Sequence, residues 1–205
     1  MNLYDRYVLP HVIDLTCGIK PVQRQRDKVV PLAQGRVLEI GVGTGHNFPF
    51  YDKSRIQHLS ALDPAIQMHP KAERRRKKVG LDVEMLTLSA EEIPMPDASF
   101  DTIVCTFTLC TIPDPLKALR EMRRVLKHGG RLLYCEHGQA PDQSVRRWQD
   151  RLNTTWGHIA GGCNLNRDMP ALIEAGGFRI QQLDQMYLPG PKILTYNYWG
   201  VAVPA

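Results

Sequence analysis

The sequence predicts an α/β fold: a central, mostly parallel β-sheet with helices on both faces. Three observations carry that prediction. Short apolar runs rich in Val, Ile, Leu and Thr alternate with helix-like segments between residues 36 and 135. The first run, Val37-Leu38-Glu39-Ile40, leads directly into glycines at alternate positions, Gly41, Gly43 and Gly45. And 205 residues, 43% hydrophobic and 23% charged, have the length and balance of one globular unit with a sizeable core. In such sheets ligands bind beyond the carboxyl ends of the strands, where the strand order reverses, so functional residues should follow each strand.

The elements follow in order. Residues 3–15 read as an amphipathic helix and 22–30 as a more polar one. Strands are expected at 36–40 and 58–62, then a helix at 65–78 and a third strand at 83–88. Further strands fall at 102–107 and 131–135. Between them Leu116, Leu119, Met122, Val125 and Leu126 keep the three-and-four spacing of an amphipathic helix, stopped by Gly129-Gly130. The last third changes character. It has a helix at 144–156, a break at Gly161-Gly162, a short helix at 169–175, and β-like runs at 178–183 and 193–203.

Composition argues against several classes. No apolar run reaches the roughly 18 residues that span a bilayer. Asp5, Arg6, His11 and Asp14 break up the first fifteen residues, so neither a secretory core nor a membrane anchor is expected there. The five cysteines, Cys17, Cys105, Cys110, Cys135 and Cys163, form no C-x-x-C pair. Free thiols, a cytoplasmic location and no metal site are therefore expected. The net charge of +5 is concentrated. Arg74-Arg75-Arg76-Lys77-Lys78 closes the 65–78 helix before Gly80, where cations complement the negative end of the helix dipole. A solvated helix end explains that run better than a phosphate-binding patch, and no aromatic-basic motif points to a nucleic-acid partner.

The glycine loop narrows the cofactor. A dinucleotide loop needs its third glycine three residues after the second, and that position is His46. Glu39-x-Gly41-x-Gly43-x-Gly45 instead resembles the cofactor loop of the Rossmann-like class I S-adenosylmethionine-dependent methyltransferases. The resemblance implies a seven-stranded sheet whose last pair is an antiparallel hairpin. It also implies S-adenosylmethionine as cofactor and S-adenosylhomocysteine as product. Gly41, Gly43 and Gly45 would wrap the aminoacyl end of the cofactor, and Glu39 would help receive its ammonium. Asp63, closing the next strand ahead of Pro64, would accept both ribose hydroxyls; capping the following helix is a compatible structural role. Residues 88–101 resemble the adenine-side segment of the ubiquinone/menaquinone-biosynthesis methyltransferases. That family usually carries Asp where this chain has Ser89. Adenine selection is thus expected to rest on Ser89, Ala90 and Glu91, a hydroxyl accepting the same bond without the charge. Thr106, at the end of the fourth strand, completes the expected cofactor set.

Three segments carry a narrower resemblance: Cys105-Thr106-Phe107-Thr108-Leu109-Cys110-Thr111, Leu133-Tyr134-Cys135-Glu136-His137, and Gly161-Gly162-Cys163-Asn164-Leu165-Asn166-Arg167. With Asn47-Phe48 and Phe50-Tyr51 they resemble the mammalian methyltransferase-like-seven enzymes, which methylate alkyl thiols. Those enzymes carry an apolar membrane-anchoring N-terminus that has no counterpart in residues 1–15. No integral membrane segment is expected, and peripheral membrane contact is left open. A second resemblance, to bacterial phosphatidylethanolamine N-methyltransferases, rests on Gly41-Val42-Gly43-Thr44-Gly45 and Pro113-Asp114-Pro115. The expected acceptor is a small molecule, a thiol ahead of a lipid or small amine. A non-catalytic cofactor-binding partner protein is the alternative of another class. In related methyltransferases an N-terminal helix folds over the cofactor. Residues 1–30 would then be a lid closed by Tyr4 and Tyr7, and 138–176 an acceptor-side insertion, within one domain spanning 1–205.

Methyl transfer is an in-line displacement at carbon, so the protein's main task is to hold nucleophile and methyl in contact and in line. A free alkyl thiol resembling cysteine ionises near pH ~8.5, and a nearby base raises its reactive fraction at neutral pH. His137, directly after a strand on the ligand-binding edge, is the leading catalytic candidate for that base. A hydrogen-bonded histidine at a strand end is the plainer reading. Tyr7, His46, Cys110, His158, Asn164 and Arg167 are the candidate acceptor-binding residues, with caps and turn contacts around Gly161-Gly162 as the alternative for the last three. Direct transfer needs no cysteine nucleophile, and free cysteines usually serve as small buried hydrophobes.

Overall fold

The computed structural model describes residues 3–205, so the first two residues of the expected 1–30 segment lie outside it. Seven strands form one sheet: β1 (Gly35–Ile40), β2 (Ile56–Leu62), β3 (Glu84–Leu86), β4 (Phe100–Thr106), β5 (Leu126–His137), β6 (Phe178–Tyr187) and β7 (Tyr196–Pro204). Their order is β3-β2-β1-β4-β5-β7-β6. β1 to β5 pair in parallel, whereas β7 runs antiparallel between β5 and β6. The expected class is confirmed, with β6 and β7 as the antiparallel pair. The order reverses between β1 and β4, which is where a ligand cleft opens in such sheets.

Helices α1 (Leu3–Tyr7), α2 (Leu9–Cys17) and α3 (Lys20–Val29) precede the sheet. α4 (His69–Val79) and α5 (Pro115–Val125) connect its parallel strands, and α6 (Gln143–Ile159), α7 (Met169–Ala175) and the single turn α8 (Lys192–Thr195) belong to the last third. Successive residues of a strand face opposite sides, so the sheet buries two cores. In one, Leu38, Ile40, Ile103, Leu132 and Tyr134 meet Leu119 and Met122 of α5 and Ile173 of α7. In the other, Val37, Leu59, Val104, Leu133 and Cys135 meet Val29 of α3 and Ala72 of α4. Burial on both faces explains why β1 and β4 read as continuous apolar runs rather than alternating ones. β6 is an edge strand whose mostly exposed residues, Arg179, Gln181, Gln182, Asp184 and Gln185 among them, discourage further pairing.

Helix ends follow local chemistry. Asp114 caps α5 by accepting from Lys117 N, and Pro115 starts it. Asp168 caps α7 in the same way through Ala171 N. α4 ends on Gly80, as expected. Other boundaries differ from the sequence expectation. Pro10 in the first turn of α2 lacks an N–H for the preceding turn, so the 3–15 helix breaks at Val8. α4 begins at His69 because Ala65 (φ −85°, ψ 76°) leaves the helical region while donating its N–H to Asp63 Oδ1. Gly129-Gly130 does not stop α5. Leu126 is already extended and pairs with Phe100, which puts both glycines inside β5. The run expected to be β from residue 193 begins as α8, one turn after Pro191.

β7 threads between two strands, and Gly200 is its point of closest approach. A Cβ there would stand 1.9 Å from Gln182 O and 2.9 Å from Tyr134 Oη, beside a register shift in β6 between Ile180 and Gln182. Gly200→Ala should destabilise the fold by about 1–3 kcal/mol, as forced overpacking does. Urea unfolding measures this, and an unchanged midpoint would refute the tight passage.

Candidate active site

The carboxyl ends of β1, β2 and β3 carry the first half of the site. Gly41 and Gly43 have positive φ (70° and 52°). A Cβ on Gly41 would strike the Thr108 side chain at 2.2 Å, whereas at Gly43 the nearest atom is 4.0 Å away. The loop is therefore braced on one side and open on the other, which suits close approach of a ligand. Asp63, buried at the end of β2, accepts from Gly43 N (2.7 Å) and from Ala65 N (2.7 Å), tying the loop to the neighbouring strand. Burial pushes its carboxyl up. After β3, Ser89 Oγ donates to Glu91 Oε2 (2.9 Å), and Glu91 Oε1 accepts from Asp114 N (2.7 Å). Ala90 between them is buried, and Pro64 is exposed.

Glu39 lies within β1, two residues before the loop's first glycine. It is 1% exposed, and its carboxylate accepts from Tyr51 Oη (2.8 Å) and Asn47 Nδ2 (3.0 Å). These contacts hold its carboxylate in place beneath the loop. Asn47 also bonds Thr106 Oγ1 (3.0 Å), and Arg26 Nη1 donates to both Asn47 Oδ1 (2.8 Å) and Thr106 Oγ1 (2.6 Å). Thr106 thus belongs to a buried polar network. Arg26 was not singled out from the sequence. The available signal was a charge on the apolar face of α3, one turn after Val22 and one before Val29 and Val30. Its Nε is buried without a partner.

The second half lies beyond β4 and β5. Phe107 turns into the left-handed region (φ 53°), which is costly for a bulky residue and persists only when its surroundings enforce it. The Arg26 guanidinium sits 4.9 Å from the Phe107 ring centroid. Buried Glu136 accepts from Thr108 N (2.9 Å) and Leu109 N (3.0 Å). Just past this turn opens a cavity of about 370 Å³. Its walls are mostly apolar: Leu9, Val12 and Ile13 from α2, Phe107, Trp156 and Ile159 from α6, and Leu188 and Leu194 near α8. Cys110, His137 and Cys163 form a polar patch in it, with His137 Nε2 3.1 Å from Cys163 Sγ. Burial lowers the His137 pKa, but the neighbouring Cys110 and Glu136 outweigh it and hold the imidazole above its ordinary value.

Of the expected acceptor-binding residues, only Cys110 lines this cavity, together with the catalytic candidate His137. Tyr7 is exposed, with Arg6 over its ring. His46 bonds Gln23 Nε2 (3.0 Å) and the Asp14 main-chain oxygen (3.0 Å), so both ring nitrogens are engaged by the N-terminal helices. Burial pulls its pKa down to about 4. His158 is exposed and bonds Thr154 O of its own helix (2.7 Å). Asn164 donates to Cys110 O (2.9 Å), and Arg167 to Leu109 O, so both buttress the turn after β4 from outside. The described contacts of these five side chains are with the fold, and none of the five lines the cavity. The converse also occurred: Cys163, expected as a small buried hydrophobe, lines the cavity beside Trp156.

Comparison with known proteins bears on this arrangement. A methyltransferase-domain family model matches residues 38–134. The chain belongs to the class I S-adenosylmethionine-dependent methyltransferases, and S-adenosylmethionine is its cofactor. More particularly, it is similar to thiol S-methyltransferase TMT1B of Rattus norvegicus, 34% identical over 168 residues, covering 77% of this chain and 68% of that protein. The phosphatidylethanolamine N-methyltransferase of Cereibacter sphaeroides is 33% identical over 128 residues, covering 60% of this chain and 62% of that one. A crystal structure of a SAM-dependent methyltransferase from Aquifex aeolicus superposes with a TM-score of 0.65 at 20% identity, covering 96% and 98% of the two chains. At that identity the likeness concerns the fold alone.

Burial pushes the Glu39 carboxyl up to about 7 from an ordinary 4.5, against the pull of Tyr51, Arg26 and Asn47. The folded pKa exceeds the unfolded one, so this group's favourable contribution is complete below pH 4.5 and is lost as pH rises to about 7. The difference in unfolding free energy between the wild type and Glu39→Gln should shift by about 3 kcal/mol across that window. Urea titrations at several pH values test this, and a pH-independent difference would contradict it.

Proposed function

We propose that this chain transfers the methyl group of S-adenosylmethionine to the sulfur of a small lipophilic thiol. The apolar cavity with His137 beside Cys110 and Cys163 in its wall carries the reading. Similarity to TMT1B, a thiol S-methyltransferase, supports the same acceptor class. The similarity to a phosphatidylethanolamine N-methyltransferase favours an amine, but none of the described residues lining the cavity is acidic. The unpaired cysteines and the lack of any described helix long and apolar enough to cross a membrane fit a cytoplasmic setting.

S-adenosylmethionine supplies the methyl group as a sulfonium. Gly41, Gly43 and Gly45 would wrap its aminoacyl end, with Gly43 on the open side, and the guanidinium of Arg26, whose Nε is unpartnered, would be the cation available to the carboxylate. Asp63 would receive the ribose, flanked by Pro64, while Ser89, Ala90 and Glu91 would face the adenine and Thr106 would back the aminoacyl pocket. On the acceptor side, His137 exchanges its contact with Cys163 for the incoming thiol and accepts its proton. Attack of a thiolate on a sulfonium removes both charges, so a dry apolar wall favours the transition state over separated ions. Helices α1 to α3 act as the lid. Asp14 latches them to the cofactor half through Lys71 (2.9 Å), Arg75 (2.7 Å) and His46 (3.1 Å), and Tyr4 Oη donates to Ile159 O (2.8 Å) on the acceptor half.

Two experiments test these assignments. Mass spectrometry of products from hydrogen sulfide, short and long alkyl thiols, phosphatidylethanolamine and simple amines should show S-methylation, strongest for long alkyl thiols. His137→Ala should lower kcat roughly 100-fold with little change in KM, and N-methylated product would overturn the acceptor. Asp14→Ala should weaken S-adenosylmethionine binding roughly tenfold by lowering the closed population. Calorimetry on the folded variant decides, with unchanged affinity arguing against a lid.

A further inference from the structure

Cys110, His137 and Cys163 come from three separate segments: the turn after β4, the end of β5, and the loop between α6 and α7. Their ligand atoms all lie within 4.8 Å of one another, and all three residues line the acceptor cavity. Each position is fixed from behind. Glu136 holds the amides of Thr108 and Leu109, which sets Cys110. Asn164 donates both its main-chain N–H (2.9 Å) and its Nδ2 (2.9 Å) to Cys110 O, which sets Cys163 beside it.

We propose that this cluster is a metal site for a borderline-soft divalent cation, zinc foremost. Its ligands are Cys110 Sγ, Cys163 Sγ and His137 Nε2, and its fourth position is open to the cavity. Zinc–sulfur bonds of about 2.3 Å and zinc–nitrogen bonds of about 2.0 Å imply tetrahedral ligand separations of about 3.5–3.8 Å. His137 Nε2 and Cys163 Sγ stand 3.1 Å apart and no pair of ligand atoms is more than 4.8 Å apart, so small side-chain adjustments reach that geometry. Two sulfurs and an imidazole select zinc over magnesium or calcium, which prefer oxygen. Two thiolates also cancel the divalent charge, leaving a neutral centre suited to an apolar wall.

Three protein ligands and one open position make the catalytic rather than the structural type of zinc site. The site rests on the thiol reading above and deepens it, because the open position is where the acceptor sulfur binds. On binding, the thiol releases its proton to water. The thiolate sulfur then forms the new S–C bond as the methyl–sulfonium bond breaks, its electron pair remaining on the departing thioether. His137 is a metal ligand in the loaded protein and the proton acceptor in the metal-free one.

The test titrates the purified chain with Zn²⁺ against a chromogenic chelator, and with Co²⁺ as a spectroscopic substitute. One equivalent should bind, with thiolate-to-cobalt charge-transfer bands. The visible spectrum should change when an alkyl thiol is added without S-adenosylmethionine. Cys110→Ser and Cys163→Ser should each weaken zinc binding by more than about tenfold, whereas His158→Ala, off the cavity, should not. S-adenosylmethionine calorimetry establishes that each variant is folded. Trace binding, or equally tight binding in both cysteine variants, overturns the site. One equivalent of zinc with no S-methylated product upholds the site and rejects the thiol reading. Full-rate S-methylation by the zinc-stripped chain overturns the proposal and leaves the thiol reading standing.

Discussion

The carboxyl edge of the sheet depends on one buried carboxylate. Glu136 has no exposed surface, and the amides of Thr108 and Leu109 both point at it. Left unpaired in this interior, each amide would cost about 1–3 kcal/mol. Their capture enforces the left-handed turn at Phe107, which a bulky residue does not adopt unaided. The turn has two faces. One packs Thr108 against Gly41, and the other delivers Cys110 to the cavity wall. The same carboxylate therefore sets the distance between the cofactor loop and the acceptor floor, which in-line transfer requires to be short.

A second buried network ties the N-terminal helices into this edge. Arg26 reaches from α3 to Asn47 and Thr106, and Asn47 passes the connection to Glu39. Asp14 makes the parallel connection from α2, where burial works against its charge but Arg75 and Lys71 keep the carboxyl well below its usual range. Helices that would be marginal alone at five to ten residues are held by these polar anchors and by the apolar side chains they fold over the cavity. In a low-dielectric interior such networks specify one arrangement only when their members are satisfied.

The fold was legible because strands buried on both faces read as continuous apolar runs, and because the glycine loop marks the end of β1. Boundaries were less so. Leu126 gained more by joining the sheet than Gly129-Gly130 lost by entering it, and no propensity rule weighs those two. The residues proposed for the cofactor stand out as candidates because they lie at or just after strand ends in local motifs. The residues that line the cavity do not, since they converge from distant segments. His46 and His158 carry the side chain a chemist looks for, yet both ring nitrogens of His46 and the Nδ1 of His158 are occupied by helix contacts. Cys163 looked like packing because nothing in its spacing to Cys110 or His137 shows that the loop after α6 returns to β4 and β5.

β7 is the last strand of the chain but an interior strand of the sheet. As the chain leaves the ribosome, β1 to β4 and their helices are complete while β5 still has an open edge and β6 has no neighbour. Non-local pairing of this kind comes late and leaves unpaired strand edges exposed until it does. The cofactor half can therefore assemble during synthesis. The acceptor half, whose wall includes Leu194 and Asn197, takes shape only when β7 enters between β5 and β6, and until then the edge of β5 stays unpaired.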